Sequence, residues 1–229
     1  MLTLIHGDHL TASRAKLMEL KSDAKDKEIR EISGKKLDSN ALVQALTSSS
    51  LFGGEILVII EGFIGNAKKR EKAFSNLLAQ IIASAKDTDI ILYEDKEIEK
   101  GTLSKLGSAL RPFLFKLPSV IFQFLDSIAP GNAKTSLTLF SQVISQEVPE
   151  VVFALLVRRV RQLIMLKDGV TPAGMQSWQV GRLTSQAQHF TIEQLVVMHT
   201  SLLDIDTAIK TGSSPFVLTQ RIEQLLISL

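Results

Sequence analysis

The chain changes its local pattern once, near residue 95, and that change constrains what it can fold into. Residues 1 to about 94 alternate short β-rich runs with helical stretches. The runs at 2–6, 28–32, 56–61 and 89–93 are rich in Ile, Leu and Val, and helical spacing fills 10–21, 39–47 and 67–83. Alternation of this kind builds βαβ units around a mainly parallel sheet. The runs ILVII and IILY are apolar throughout, as strands covered on both faces require. Beyond residue 95 no strand signal stands out. Helical segments follow one another, interrupted at Arg111-Pro112, Ala129-Pro130-Gly131-Asn132, Val148-Pro149, 169–174 and Ser213-Ser214-Pro215. Five or six helices in succession make an all-α domain. The expected organisation is an α/β domain over 1–95, a linker over 96–115 opening in the acidic run 94–99, and an all-α domain over 116–229. There is no internal repeat and no low-complexity tract.

One segment carries both helix ends in its sequence. In FTIEQLVVMHTSLLDIDTAIKTG, residues 190–212, Thr191 and Gln194 have capping-box spacing, and Phe190 and Leu195 that of a hydrophobic staple. Gly212 suits the left-handed residue that ends a helix. Asp206 and Lys210 are four apart, acid first, and Leu195, Met198, Leu202, Ile205 and Ile209 form the apolar stripe.

Composition excludes several classes. A chain of 229 residues holds one large domain or two small ones with a real core. The net charge of +2 rules out a wholesale electrostatic DNA sleeve. With no cysteine there are no disulfides, cysteine zinc sites or thiol chemistry, which suits a reducing compartment. The apolar runs fall short of the roughly 20 residues of a membrane helix, and MLTLIHGDH lacks the pattern of a signal peptide. The expectation is a cytoplasmic protein.

An α/β domain invites a test for nucleotide chemistry. A phosphate loop after the first strand needs G-x-x-x-x-G-K-[ST]. Counted from Gly7, the required positions hold Ala12, Ser13 and Arg14; counted for Gly34-Lys35, they hold Ile29 and Lys36. Gly62 and Gly65 do not make G-x-G-x-x-G. Two strands end in acids, Glu61 and Glu94-Asp95, which read either as the remnant of a magnesium-binding strand end or as solvated acids. His6, Asp8 and His9 lack metal-ligand spacing, and no G-x-S-x-G elbow is present. No catalytic residue, metal site or cofactor follows from the residues.

Two basic clusters and one apolar pair remain. Lys68, Lys69, Arg70 and Lys72 open one helix; Arg158, Arg159 and Arg161 interrupt another. Such clusters are solvated faces, phosphate contacts or partners of buried acids. Between a helix and the strand ILVII stands Ser48-Ser49-Ser50-Leu51-Phe52-Gly53-Gly54. Leu51 and Phe52 either tuck under the sheet or fill a partner's pocket.

Several of these segments resemble the delta subunit of the bacterial DNA polymerase III clamp loader. LIHGDHLTASRAKL looks like its opening strand, turn and helix. FQFLDSI followed by Gly131-Asn132-Ala133 looks like the start of its C-terminal domain. LVRRVRQLIMLK, Trp178 to Phe190, and LDIDTAIKTG look like later helices of that domain. The resemblance implies an AAA+-like α/β domain with a degenerate phosphate loop, then an all-α collar domain that joins other subunits. It implies a non-catalytic subunit of the polymerase III holoenzyme that binds and opens the sliding clamp for loading on primed DNA. Leu51 and Phe52, with Ser49 where the family often has a third apolar residue, match the clamp-binding wedge. Lys68, Lys69, Arg70, Arg158 and Arg161 become candidate contacts with DNA or a partner. The partners implied are the sliding clamp (beta subunit), the gamma/tau and delta-prime subunits, and primed DNA. The family's small helical lid has no room between Tyr93 and the C-terminal pattern. The alternatives are a phosphate-loop-like NTPase or nucleotide-sensing enzyme, a delta-prime subunit (whose cysteine zinc module is missing here), and a generic helical adaptor.

Overall fold

The structure is a computed structural model that describes residues 1–47, 54–65, 71–107 and 110–229. It divides into two units, Met1–Leu117 and Pro118–Leu229.

The first unit is built on β1 (Leu2–His6), β2 (Glu28–Ser33), β3 (Ile56–Glu61), β4 (Asp89–Tyr93) and β5 (Leu110–Leu114). They form one sheet in the order β2-β3-β4-β1-β5, and every pairing is parallel. The register sets Ile5 opposite Tyr93 and Phe113, and Glu61 opposite Tyr93. The strand ends that carry the acids therefore lie side by side.

Helix α1 (Leu10–Asp23) covers one face of the sheet, with Leu17 packed among Ile5, Leu57, Ile59, Ile91 and Tyr93. The other face is covered by α2 (Ser39–Thr47), α3 (Glu71–Ser84) and α4 (Lys100–Lys105); Leu42, Leu77, Leu78, Ile81 and Leu106 meet Leu2, Leu4, Val58, Ile60 and Leu92 there. Both faces being buried explains the unbroken apolar runs of β3 and β4. A 3-10 turn over Gly34–Lys36 follows β2.

The segment 96–115, expected as a linker, instead contains α4 and β5, and β5 completes the sheet beside β1. Arg111-Pro112, expected as a break between helices, is part of β5. The proline lies in an edge strand, where the missing N–H costs no ladder bond on the open side. Glu94, expected as a solvated linker acid, is buried at 1% exposure.

The second unit is entirely helical: α5 (Ser119–Ser127), α6 (Ala133–Ile144), α7 (Pro149–Lys167), α8 (Ser177–Gln188), α9 (Ile192–Lys210) and α10 (Leu218–Ile227). Pro149 opens α7, where proline's lost N–H is one of the unbonded donors anyway. Val152, Leu156, Val160 and Leu163 recur at helical spacing along α7 and are fully buried. Phe124 of α5 and Phe140 of α6 meet with ring centroids 5.4 Å apart. The capping box of α9 forms as its sequence implies: Gln194 N–H donates to Thr191 Oγ1 at 3.2 Å, and Thr191 N–H to Gln194 Oε1 at 2.8 Å. Gly212 ends the helix at φ +68°.

Candidate functional site

The strand-end face of the first unit is built from the β1–α1 turn, α1, and the ends of β3 and β4. Its groups are bonded to one another. His9 caps α1 by accepting from Ala12 N–H at 3.3 Å. Asp8 Oδ1 accepts from Leu117 N–H at 2.9 Å. His6 is buried, and its Nδ1 accepts from Ile98 N–H at 3.0 Å. Burial lowers the His6 pKa, in keeping with a neutral ring that accepts from an amide. The three residues do local structural work.

Arg14, one turn into α1, makes a two-pronged bond to Glu61 at the end of β3: 2.6 Å from Nη1 and 3.3 Å from Nη2. Its guanidinium lies 4.2 Å from the Tyr93 ring centroid, a cation–π geometry. Tyr93 Oη shares a 2.9 Å hydrogen bond with the buried Ser13 Oγ. The bond from Arg14 holds the Glu61 carboxyl below its usual range. At the end of β4, Glu94 accepts from Ile64 N–H at 2.6 Å and Gly65 N–H at 3.0 Å. Desolvation pushes its pKa up, against those amides. Between these groups is an open cleft of about 590 Å³ whose lining includes Arg14, Ser33, Lys35, Glu61 and Asp95. Among the described residues no group of three or more His, Cys, Asp or Glu could hold a metal ion.

The Glu61 shift fixes a pH dependence. A carboxyl whose folded pKa is depressed adds stability above its unfolded pKa, roughly 4.3, and loses it as pH falls through the folded value. The stability gap between the protein and Glu61→Gln should therefore shrink on acidification below about pH 4. Urea midpoints at pH 7 and pH 3.5 measure it; a gap equal at both would show that the pair contributes nothing through ionisation.

Ser49, Leu51 and Phe52, the wedge expected from the sequence, lie outside the described residues, as do Lys68, Lys69 and Arg70. The flanks of the wedge segment are described, and both are tied to β2. Arg30 Nη1 donates to Ala45 O near the end of α2 at 2.9 Å, and Glu28 N–H to Glu55 O just before β3 at 2.9 Å. β2 thus fixes where the segment leaves α2 and where it rejoins the sheet. No local sequence signal could have shown that.

The second arginine cluster separates. Arg158 and Arg161, three apart on α7, are both exposed, with no hydrogen bond or ion pair recorded for them among the described residues. Arg159 turns inward. Its Nη1 donates to Asp126 Oδ1 and to Gln186 Oε1, each at 2.7 Å, and Asp126 also pairs with Arg182. Gln186 is buried, and its amide group donates to Leu125 O at 2.7 Å and Ile128 O at 3.0 Å, the end of α5. The network joins α5, α7 and α8. Gln186 carried no sequence signal, because its partners lie 58 and 61 residues away.

A search of curated proteins gives no match to this chain. Among solved structures it is similar to the Bacillus subtilis DNA clamp loader delta protein, with TM-score 0.49 and 13% identity, covering 99% of this chain and 94% of that one. A chain in a structure of Drosophila ORC bound to poly(dA/dT) DNA and Cdc6 is matched at TM-score 0.32 and 12% identity, over 98% of this chain and 65% of that one. Residues 119–228, nearly the whole helical unit, match the family model of the DNA polymerase III delta subunit, C-terminal domain. By that match the helical unit is similar to the C-terminal domain of the DNA polymerase III delta subunit.

Proposed function

We propose that this protein is a non-catalytic clamp-loader subunit: it binds the sliding clamp through its α/β unit, helps to open it for loading on primed DNA, and joins the other loader subunits through its helical unit. The observation that carries the reading is the delta C-terminal domain match over 119–228. Two further features support it. The described residues flanking Leu51 and Phe52, Ala45 of α2 and Glu55 before β3, are both bonded to β2. The helical unit keeps large apolar side chains in water: Val196, Val197 and Leu203 of α9 are 49%, 65% and 58% exposed. Val196 and Leu203 are seven apart and share a helix face, the spacing with which apolar anchors meet a partner's groove. Arg158 and Arg161 are the candidate contacts with DNA or a neighbouring subunit.

The division of labour is testable with residues 1–117, the boundary that keeps β5 and the Leu117–Asp8 bond. That fragment should bind the clamp of the same organism and fail to co-elute with the motor subunits on size exclusion. Co-elution as complete as that of the full chain would place assembly in the wrong unit.

The NTPase alternative makes the opposite prediction about ATP. Ala12, Ser13 and Arg14 stand where a phosphate loop needs Gly, Lys and a hydroxyl. Calorimetry with magnesium and ATP should give no heat of binding, and phosphate release should stay at the buffer rate. A dissociation constant in the micromolar range would remove the non-catalytic reading.

A further inference from the structure

In a nucleotide-binding sheet, the turn after the first strand offers backbone amides to a phosphate, and a strand-end acid faces a metal ion. Here both roles are taken by the chain itself. Gly7 N–H donates to Lys96 O, and His9 N–H to Phe115 O, each at 3.2 Å. Ala12 N–H is taken by the His9 ring at 3.3 Å. Arg14 stands where the loop pattern would put the metal-binding hydroxyl, and its guanidinium meets Glu61 at 2.6 Å. The contact runs both ways: Phe115 N–H donates to His6 O at 2.8 Å, and His6 and Asp8 hold the amides of Ile98 and Leu117. Gly7 sits at φ +135°, and a Cβ there would lie 1.8 Å from Phe115 O. The chain leaving the sheet is pressed directly onto the turn.

We propose that the N-terminal unit carries an internal lock, in which the Lys96 and Phe115 carbonyls and the His9 ring occupy the amides a phosphate would take, and Arg14 supplies Glu61 with the charge a metal ion would. The lock goes beyond a missing motif. An empty turn would be loose and ordered by an anion; a locked one is ordered already and indifferent to ligand. The face therefore acts as a fixed platform, not a nucleotide switch. This inference does not rest on the clamp-binding reading, and its test involves no clamp.

The test is amide-resolved hydrogen exchange on the full chain, alone, with magnesium, and with magnesium and ATP. The amides of Gly7, His9, Ile98, Phe115 and Leu117 should be protected at least about a hundredfold over unstructured chain, and neither addition should change them beyond about twofold. Gly7→Ala should speed exchange at Phe115 and Leu117 by at least about tenfold while the β3 and β4 amides stay protected. If Gly7→Ala does not fold, Asp8→Ala, which removes only the acceptor of Leu117 N–H, should speed Leu117 alone. Unprotected amides in the free chain, protection that rises tenfold with magnesium and ATP, or a folded variant without its local effect would each overturn the lock.

Discussion

Replacing Leu51 and Phe52 together by alanine is expected to weaken binding to the sliding clamp by at least roughly a hundredfold. Central apolar anchors at protein interfaces cost about 2–4 kcal/mol each on truncation, and about 1.4 kcal/mol is a factor of ten. The same double variant should melt within a few degrees of the parent, because side chains that meet a partner contribute little to the free fold. A core role makes the reverse prediction: two large buried truncations cost about 2–5 kcal/mol each and would lower the melting temperature steeply. Calorimetric melting and clamp titration on one variant separate the two. Lost stability, or unchanged clamp affinity, would remove the wedge assignment. Ser49, where the family often has a third anchor, is expected to be neutral on conversion to alanine, and Ser49→Leu to tighten binding.

How far the sequence could be read follows from the range of the interactions involved. β3 and β4 were legible because both faces are buried, so every position apart from the terminal acids Glu61 and Asp89 is apolar. The C-terminal helices were legible because caps and stripes are local; Thr191 and Gln194 are three residues apart. β5 was not: Arg111-Pro112 breaks its pattern, its side chains are half-buried or exposed, and only pairing with β1 makes it a strand. Glu94 was misread for a similar reason. An acid after an apolar run looks solvated until the amides of Ile64 and Gly65, some thirty residues earlier, are seen to receive it. At the strand-end face, the absence of a phosphate loop could be counted from Gly7 onward, but the replacement of its bonds could not. Arg14 and Glu61 are 47 residues apart and Asp8 and Leu117 are 109 apart. Spacing along a chain cannot announce such pairs. The arginine cluster of α7 shows the same limit in small compass: three charges within four residues, of which the fold sends one inward and two outward.

That split yields the largest stability effect expected in the helical unit. Asp126→Ala removes the charged one of the two acceptors of Arg159, whose side chain is only 11% exposed. It leaves a charge in poor contact with water beside Gln186, the residue that holds the end of α5. Breaking one side of a buried pair typically costs about 3–5 kcal/mol, mostly through the stranded partner. Arg182, the other partner of Asp126, is 60% exposed and can return to solvent, so the lower end, about 3 kcal/mol, is expected. For a unit of this size that lowers the melting temperature by more than about 10 °C. Removing both charges at once, as Asp126→Leu with Arg159→Met, should recover much of the loss, because no stranded ion remains. Arg158→Ala, one residue from Arg159 but exposed, should stay within about 0.5 kcal/mol of the parent. If Asp126→Ala and Arg158→Ala melt alike, the network contributes nothing to holding α5, α7 and α8 together. If Arg158→Ala with Arg161→Ala melts normally yet weakens loader assembly or DNA retention, the outward pair is the contact surface and the inward arginine its scaffold.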